Sequence, residues 1–440
     1  MKKDINLDNI KKFDEVYKLD SNNKIIENAI KNVGINKFCL NNDVINKTYN
    51  VFNIELPKSK IYDQIDSERC WIHAGINLIK NNVAKNLNIE ESEYALSVNF
   101  LAFLDKLEKS NSLYNKVIEN DNFNFDEEIK QFYLVASVYE GGYFEYFRSL
   151  VNKYGIVPEH IMPDVESSTN STQLTRIFRD KVKKDIFKLL DLKNKKESKE
   201  QLYFKKQIML EENYNLLSKC LGELPMSFDY EYKDKDGKCV KISNITPIDF
   251  ANKYLTFNLN DLKGIANVPM YNKEYNKLYK KKHTENVFGN SDVEFINMPI
   301  NVLKDLAVKH LKDGIPVYFG CDMKKMRDND LGIMDSTLYN YREIFNIDLL
   351  SKEEALSLYD IDYQHVMLIT GVHIENDKTI RWKIEDSYGD KVHKDGYYIM
   401  NDNFFDDFVI EVMIDKKYLS VKQLELFNQK PILFNMNEPF

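Results

Sequence analysis

Hydrophobic residues follow two different periods along this chain, a helical one early and a strand-like one late. Ile72, Ile76 and Ile79 fall on one face of a predicted amphipathic helix that runs from Cys70 to about Leu87. The same spacing predicts a second helix over residues 97–110. The first part of the chain is therefore expected to be mainly helical, and the cysteine helix is expected to bury one face.

Short apolar runs bounded by turn residues dominate the last third of the chain and predict β-strands. These runs cover residues 316–321, 366–373, 380–386, 397–400 and 409–414. Earlier, an Asp-Gly pair at Asp236 supplies a two-residue turn and predicts a hairpin over 228–243. Because the β-rich half follows a helical half, the order of elements predicts an α+β fold.

A cysteine at the start of the first predicted helix carries the strongest chemical signal. The run over residues 64–74 reads QIDSERCWIHA. A thiol at a helix N-terminus lies at the positive end of the helix dipole, which favours the thiolate. Gln64, six residues before Cys70, is placed to point an amide N–H at a developing oxyanion, beside the main-chain N–H of Cys70. A lone cysteine is ordinarily structural, but the spacing to Gln64 and the following Trp71 argue against that interpretation.

A histidine and an aspartate late in the chain supply the partners that a cysteine nucleophile requires. His365 enters the predicted strand over 366–373, and Asp386 ends the next predicted strand. A nucleophilic cysteine needs a base, and the base needs an orienting group. Cys with His and Asn or Asp distant in sequence is a known pattern for such a nucleophile. A core histidine is the ordinary interpretation of His365 alone, but the three segments together favour catalysis.

With these segments in place, the chain resembles the aminopeptidase C/bleomycin hydrolase family of papain-like cysteine peptidases over nearly its whole length. Characteristic stretches of that family lie at residues 103–109, 154–158, 275–279, 313–322 and 331–335. The resemblance implies that Cys70 is the nucleophile, that His365 is the general base and acid, and that Gln64 is an oxyanion donor. Asp386 stands where the family has asparagine and is expected to hold the imidazole tautomer.

The resemblance also implies a papain-like cysteine peptidase fold, in which a helical half and a β-rich half meet at the active-site cleft. A large, mostly helical insertion separates the two halves. The approximate parts are an N-terminal segment 1–55, the helical half 56–171 with Cys70, the inserted segment 172–295, the β-rich half 296–425 with His365 and Asp386, and a C-terminal tail 426–440 in the cleft. Family members form hexameric barrels with internal active sites, so a homohexamer is expected.

Three departures from the family pattern bear on specificity. In the family, the carboxylate of the C-terminal tail meets the amino terminus of the substrate, which makes these enzymes aminopeptidases. The tail here starts as the family tail does and then departs from the usual ending, WDPMGA. Glu68 stands where the family usually has a glycine that lines the cleft, and Tyr388 stands where a tryptophan normally shields the histidine from water.

Two other functions stay open at this point. The first is an endopeptidase or oligopeptidase with the same chemistry, if the altered tail leaves the cleft open. The second is a non-catalytic papain-like scaffold that assembles or captures peptides. The expected mark of such a scaffold is a lost Cys, His or Gln, and this chain has all three.

Composition limits the class of protein and its partners. The 440 residues are 43% hydrophobic and 12% aromatic, which indicates a globular chain with a large core. The net charge of −8 argues against broad electrostatic binding of nucleic acid. The family resemblance implies peptide substrates as the partners. A basic cluster is interpreted as a solvated helix face; it comprises Lys273, Lys277, Lys280, Lys281 and Lys282.

Cysteine usage and the absence of apolar segments predict the compartment. The cysteines are Cys39, Cys70, Cys220, Cys239 and Cys321, and they are scattered without C-x-x-C spacing. Such a pattern is typical of reduced thiols in the cytoplasm and of a chain without a zinc site, and no cofactor is expected. The charged N-terminus predicts no secretory signal, and no stretch is long and apolar enough to predict a membrane helix.

Overall fold

The computed structural model describes residues 4–119, 138–390, 395–435, 438 and 440. Helices in these ranges lie in a mainly helical first half and in short connections between the later strands. They are Leu7–Leu19, Ser21–Val33, Ile35–Cys39, Asn42–Lys47, Cys70–Leu87, Val98–Glu119, Phe144–Tyr154, Glu166–Thr169, Thr172–Asn194, Lys199–Leu221, Pro247–Tyr254, Ile300–Lys312, Tyr341–Phe345, Lys352–Ser357, Asp402–Phe408 and Val421–Leu426. Single 3-10 turns occur at Glu159–Ile161, Leu259–Asp261 and Lys416–Tyr418.

The strands in the described ranges belong to one large mixed sheet and one separate hairpin. They are β1 Ile54–Glu55, β2 Phe228–Lys233, β3 Cys239–Ile245, β4 Leu262–Ala266, β5 Lys277–Lys281, β6 Glu294–Asn297, β7 Val317–Cys321, β8 Arg327–Asp328, β9 Ile333–Met334, β10 His365–Glu375, β11 Lys378–Glu385, β12 Tyr397–Asn401, β13 Val409–Asp415 and β14 Ile432–Phe434. The sheet order is β14-β5-β6-β4-β13-β7-β10-β11-β12-β9-β8, with β1 added to β10, and β2 pairs with β3.

The main elements predicted from periodicity are confirmed, and so is the α+β class. The cysteine helix has the predicted bounds, Cys70–Leu87, and ends at Asn88 in the left-handed conformation with φ 56°. The five late strands fall within one or two residues of the predicted ranges. The predicted hairpin forms as β2 and β3, but its turn is longer than the two residues expected. The main-chain N–H of Asp234 donates to the carbonyl oxygen of Lys238, and that of Gly237 donates to the carbonyl oxygen of Asp234.

The environment of the cysteine helix differs from the prediction of one buried face. The helix packs against β10 on one side and against helices Val98–Glu119 and Phe144–Tyr154 on others. Polar side chains such as His73 and Lys80 are therefore buried together with Ile72 and Ile79. The sequence pattern marks only the most apolar side of a helix, whereas several neighbours bury the rest.

The interpretation of the basic cluster as a solvated helix face is wrong. Residues 277–281 form β5, which pairs with β6 and with β14. Lys273 and Lys281 are buried, and the Lys273 Nζ atom lies 4.0 Å from the centroid of the Phe434 ring. Lysine stems can pack against aromatic rings, so charge counting along the chain did not reveal this burial.

Strand pairing brings the late catalytic candidates together. β10 pairs with β7, and His365 lies opposite Cys321. β10 and β11 form an antiparallel hairpin, so Asp386, which directly follows β11, returns to the end of the sheet where His365 begins β10. Strands β4, β5 and β6 lie in the same sheet as the later strands. The predicted boundary at residue 295 falls inside β6, Glu294–Asn297. The division into parts stays a prediction.

No helix in the described part of the chain combines the length and the apolar character needed to cross a bilayer.

Candidate active site

Cys70 is the first residue of its helix, as the sequence pattern requires. Its side chain is largely buried, with 9% of the residue exposed, and Arg69 occupies the N-cap position without a side-chain cap. The thiol therefore lies in the first turn of a helix whose N-terminus has no side-chain cap. This end of the helix dipole favours a thiolate at Cys70.

His365 and Asp386 form a buried hydrogen-bonded pair. The Nε2 atom of His365 lies 2.8 Å from Oδ1 of Asp386, and both residues are buried. The Cys70 side chain lies close enough to the imidazole for its charge to raise the pKa of His365. Because Nε2 faces the aspartate, Nδ1 is the ring nitrogen left for the thiol.

The surroundings of His365 favour its protonated form. Burial by itself lowers the pKa of the imidazole, but the charges of Asp386 and of a Cys70 thiolate outweigh burial and raise the pKa to about 10. The arrangement therefore favours an imidazolium at His365, which is the form that pairs with a cysteine thiolate.

Gln64 lies in a strained loop that is paired with the segment after Asp386. Ile65 has φ 52°, a left-handed conformation that β-branched residues rarely adopt. The main-chain N–H of Gln64 donates to the carbonyl oxygen of Ser387 over 2.7 Å. Asp63 forms a β-bridge with Tyr388. This pairing places the Gln64 side chain beside the His365–Asp386 pair.

The amide of Gln64 has a defined orientation. Its Oε1 atom accepts a hydrogen bond from the Ser387 hydroxyl over 2.6 Å, while its Nε2 atom donates to the carbonyl oxygen of Ser67 over 2.8 Å. Nε2 also lies 3.3 Å from the hydroxyl oxygen of Tyr388. The main-chain N–H of Ser387 donates to Asp386 Oδ1 over 2.8 Å, so one serine contacts both the glutamine and the aspartate.

The structure thus brings together all four residues singled out from the sequence: Cys70, His365, Asp386 and Gln64. Their chemical roles stay predictions. Sequence reasoning missed Ser387, although its position directly after Asp386 was a signal that it would reach the same site.

Sequence reasoning also missed the hydrogen bonds that hold the turn before Cys70. The buried guanidinium of Arg69 donates from Nη1 to Asp164 Oδ1 over 3.0 Å and from Nε to the Ser67 hydroxyl over 3.2 Å. Ser67 in turn donates to the carbonyl oxygen of Gln64 over 2.7 Å. Arg69 therefore ties the turn before Cys70 to the Gln64 loop, and no local pattern near residue 164 pointed to this contact.

The two departures near the nucleophile have specific neighbours. The carboxylate of Glu68 accepts a hydrogen bond from the Tyr139 hydroxyl, and its own main-chain N–H lies 3.4 Å from Glu140 Oε2. Burial raises the pKa of Glu68, and the Tyr139 contact opposes this shift. The ring of Tyr388 lies nearly parallel to that of His365, with centroids 5.9 Å apart, so it covers the imidazole.

Phe440 is buried where the two halves of the fold meet. Its ring stacks between Tyr363 and Phe295, with centroids 4.8 Å apart in each case, and it lies 6.2 Å from the ring of Tyr143. Its main-chain oxygen accepts a hydrogen bond from Lys273 over 2.9 Å. Tyr363 is two residues before His365, so Phe440 packs close to the start of β10. Residues 436, 437 and 439 of the predicted tail lie outside the described residues.

In the ranges that the structure describes, no three His, Cys, Asp or Glu side chains come together as metal ligands. The side chains at this site supply a thiol, an imidazole, a carboxylate and an amide.

Comparisons with known proteins agree with this geometry. A model of the Peptidase C1-like family matches residues 4–440. Aminopeptidase G of Lactobacillus delbrueckii subsp. lactis is 33% identical over 433 residues, covering 98% of each chain. Aminopeptidase E of Lactobacillus helveticus is 32% identical over 428 residues, covering 97% of each. The crystal structure of PepW from Lactobacillus rhamnosis HN001 has a TM-score of 0.96 at 34% identity, covering 100% of this chain and 99% of that one.

Proposed function

This chain belongs to the Peptidase C1-like family and is a cysteine-type peptidase, and we propose that it is an aminopeptidase that releases N-terminal residues from peptides through a Cys70 acyl-enzyme. The observation that carries the mechanism is the buried hydrogen bond of His365 with Asp386, beside the Cys70 side chain. The aminopeptidase names of its relatives support the choice of substrate.

The first half of the proposed reaction is acylation. The Cys70 thiolate attacks the scissile carbonyl carbon, a C–S bond forms, and the carbonyl π electrons move to oxygen. The Gln64 amide and the Cys70 main-chain N–H donate to this oxyanion. The oxyanion then collapses, the C–N bond breaks, and His365 delivers its Nδ1 proton to the departing amine.

The second half is deacylation. His365, now neutral, accepts a proton from water as the water oxygen attacks the thioester carbon. Collapse of the second oxyanion expels the Cys70 thiolate and frees the released residue, while His365 keeps the proton. Asp386 holds Nε2 throughout and stabilises the imidazolium that is present at the start and end of each cycle.

The contacts of Phe440 support restriction of the enzyme to free amino termini. Its ring fills the space between Tyr143 of the helical half and Tyr363 of the β-rich half. Only 3% of Phe440 is exposed. A peptide that extended through the cleft at this position would therefore have to displace a buried ring. We propose that this tail segment blocks the cleft beyond the first substrate residue.

A comparison of free and N-blocked aminoacyl fluorogenic amides, under reducing conditions, tests the aminopeptidase proposal. The wild-type protein is expected to cleave only the free-amine substrates. Deletion of residues 436–440 keeps strand β14 but removes Phe440, and Phe440→Ala removes only the ring. Both variants are expected to cleave blocked substrates at least about tenfold faster than the wild type, equivalent to about 1.4 kcal/mol.

Cleavage of blocked and free substrates at similar rates by the wild type would instead favour an endopeptidase or oligopeptidase. If the wild-type protein hydrolysed none of the substrates, the result would favour the non-catalytic scaffold. The control is Phe434→Leu, which alters the neighbouring aromatic packing in β14 and leaves Phe440 in place.

Replacing Ser387 by alanine is expected to lower kcat because the Gln64 amide loses the donor that fixes its orientation. The loss should be about tenfold, smaller than the roughly 10²–10³-fold loss expected when a whole oxyanion donor is removed in Gln64→Ala. Steady-state kinetics of both variants would show whether Ser387→Ala loses less kcat than Gln64→Ala. Ser336→Ala is the control because it removes one hydroxyl bonded to the Asn403 carbonyl instead; a Ser387→Ala enzyme as fast as this control contradicts the prediction.

We also propose that the protein works in the cytoplasm as a homo-oligomer, with a hexamer as the specific expectation. All five cysteines are free thiols, which supports a reducing compartment. Helix Leu7–Leu19 has no buried residue and exposes Leu7, Phe13 and Val16, which supports burial against another copy. Multi-angle light scattering of the purified protein measures the oligomer directly; a monomeric mass at micromolar concentration would rule the hexamer out.

A further inference from the structure

Tyr388 presents a hydroxyl group to the oxyanion donor as well as a ring to the histidine. The ring is nearly parallel to that of His365, at an angle of 18°. The hydroxyl oxygen lies 3.3 Å from Gln64 Nε2 and accepts its hydrogen bond. The backbone is held by the bridge between Asp63 and Tyr388, so the phenol is placed by paired main chain rather than by a free loop.

The hydrogen bonds of Gln64 show why an oxyanion can replace the Tyr388 hydroxyl as the acceptor of one Gln64 N–H. Its amide oxygen is taken by Ser387, and one amide N–H is taken by the carbonyl oxygen of Ser67 over 2.8 Å. The second N–H makes only the longer contact to Tyr388. An oxyanion competes well for that N–H, because a charged acceptor makes a shorter and stronger hydrogen bond than a neutral phenol oxygen.

The proton of the Tyr388 hydroxyl is available for the same oxyanion. Among the residues that the structure describes, the Tyr388 hydroxyl accepts a hydrogen bond from Gln64 and donates none that the structure shows. The donor atoms Gln64 Nε2 and Tyr388 Oη are 3.3 Å apart. One oxygen can therefore sit about 2.7–3.1 Å from both, which is the spacing required of oxyanion donors.

We propose that the Tyr388 hydroxyl is a catalytic residue that donates a hydrogen bond to the tetrahedral oxyanion, as a third donor beside Gln64 and the Cys70 N–H. This role rests on the proposed peptidase mechanism. When the Cys70 C–S bond forms and the carbonyl π electrons move to oxygen, that oxygen replaces Tyr388 Oη as the acceptor of the second Gln64 N–H. The Tyr388 O–H then points to the same atom, and both bonds relax when the oxyanion collapses.

Tyr388 remains a donor across the working pH range. Burial raises the pKa of its phenol to about 12, and the charges of Asp386 and of a Cys70 thiolate act in the same direction. The hydroxyl is thus protonated wherever the Cys70–His365 ion pair exists. The tryptophan that the family resemblance leads one to expect at this position would cover His365 without offering a hydroxyl.

Tyr388→Phe is the decisive variant because it keeps the ring over His365 and removes one oxygen. We expect kcat for aminoacyl amides to fall about 10²-fold, with KM changed less than about twofold. Alkylation of Cys70 by iodoacetamide forms no oxyanion and needs only the thiolate, so its rate is expected to be unchanged. Tyr388→Trp, which also lacks the hydroxyl, is expected to match Tyr388→Phe.

A double-mutant cycle with Gln64→Ala separates donation from positioning. Independent donors predict that the two losses in kcat multiply. If Tyr388 only orients Gln64, the double variant will be no slower than Gln64→Ala, and the inference is overturned. Equal slowing of alkylation and hydrolysis in Tyr388→Phe would overturn it too, since that result places the effect on the Cys70–His365 pair.

The proposed function and this inference fail in distinguishable ways. If hydrolysis by the wild type persists in Cys70→Ala, the peptidase mechanism and the role of Tyr388 are both wrong. If hydrolysis depends on Cys70 but Tyr388→Phe retains at least half of wild-type kcat, or exceeds it because the phenol competes for Gln64, only the role of Tyr388 is wrong.

Discussion

Replacing Cys70 by alanine is expected to reduce kcat by about 10⁵–10⁶-fold, the size of loss seen when a covalent nucleophile is removed from a comparable hydrolase. The reason is that His365 and Gln64 act on an acyl-enzyme and an oxyanion that cannot form without the thiol. The fold should survive, because Cys70 lies at a helix end and retains 9% exposure. Aminoacyl amide hydrolysis and thermal unfolding of the same preparation provide the measurement.

The matched control for this loss is another cysteine. Cys239→Ser removes an exposed thiol from strand β3 of the separate hairpin and is expected to keep wild-type activity. Iodoacetamide should inactivate Cys239→Ser as it does the wild type, with the adduct mapped to Cys70 by mass spectrometry. Activity in Cys70→Ala above about one thousandth of wild type would contradict the nucleophile assignment.

Replacing Asp386 by asparagine is expected to move the basic limb of the pH profile of kcat/KM downward by about 1–3 units. Burial lowers the pKa of His365, but Asp386 and the Cys70 thiolate raise it to about 10. Catalysis needs imidazolium, so the wild-type rate is retained up to that pH and falls as the imidazolium loses its proton. Asparagine keeps a side chain of the same shape without the negative charge, so the imidazolium loses its proton at lower pH.

The limb belongs to the coupled Cys70–His365 pair, so the profile reports the pair as a unit. A suitable control is Glu385→Gln, which changes a buried carboxyl next in sequence to Asp386. The Glu385 side chain contacts Ser59 and Tyr397 instead of His365, so the limb should not move. An unchanged or raised limb in Asp386→Asn would show that the carboxylate charge does not set the protonation of His365.

Much of the fold was predictable from local patterns. The cysteine helix and the late strands form at the predicted positions because helical and strand periods record which side chains face a core. Cys70, His365, Asp386 and Gln64 could be singled out as catalytic candidates for a related reason. Few residue types can serve as nucleophile, base, orienting group and oxyanion donor, so they are recognisable in sequence even when they are far apart.

The connections among these residues were not predictable in this way. Ser387 and Gln64 are 323 positions apart, and only the pairing of the Gln64 loop with the segment after β11 brings the hydroxyl to the amide. The contact of Arg69 with Asp164 spans 95 positions. Burial of Lys281 depends on β14 and Phe440, which a charge count around residue 281 does not include.

The sequence by itself determined the residue types that are candidates for catalysis, the helix that begins at Cys70, the strand that begins at His365 and the strand that Asp386 follows. The tertiary structure decided how those groups are aimed: Ser387 sets the Gln64 amide, and Tyr388 adds a hydroxyl where the family resemblance led us to expect an indole. The physical reason is that periodicity depends on neighbours a few residues away, whereas the direction of a hydrogen bond depends on atoms that only the folded chain brings within about 3 Å.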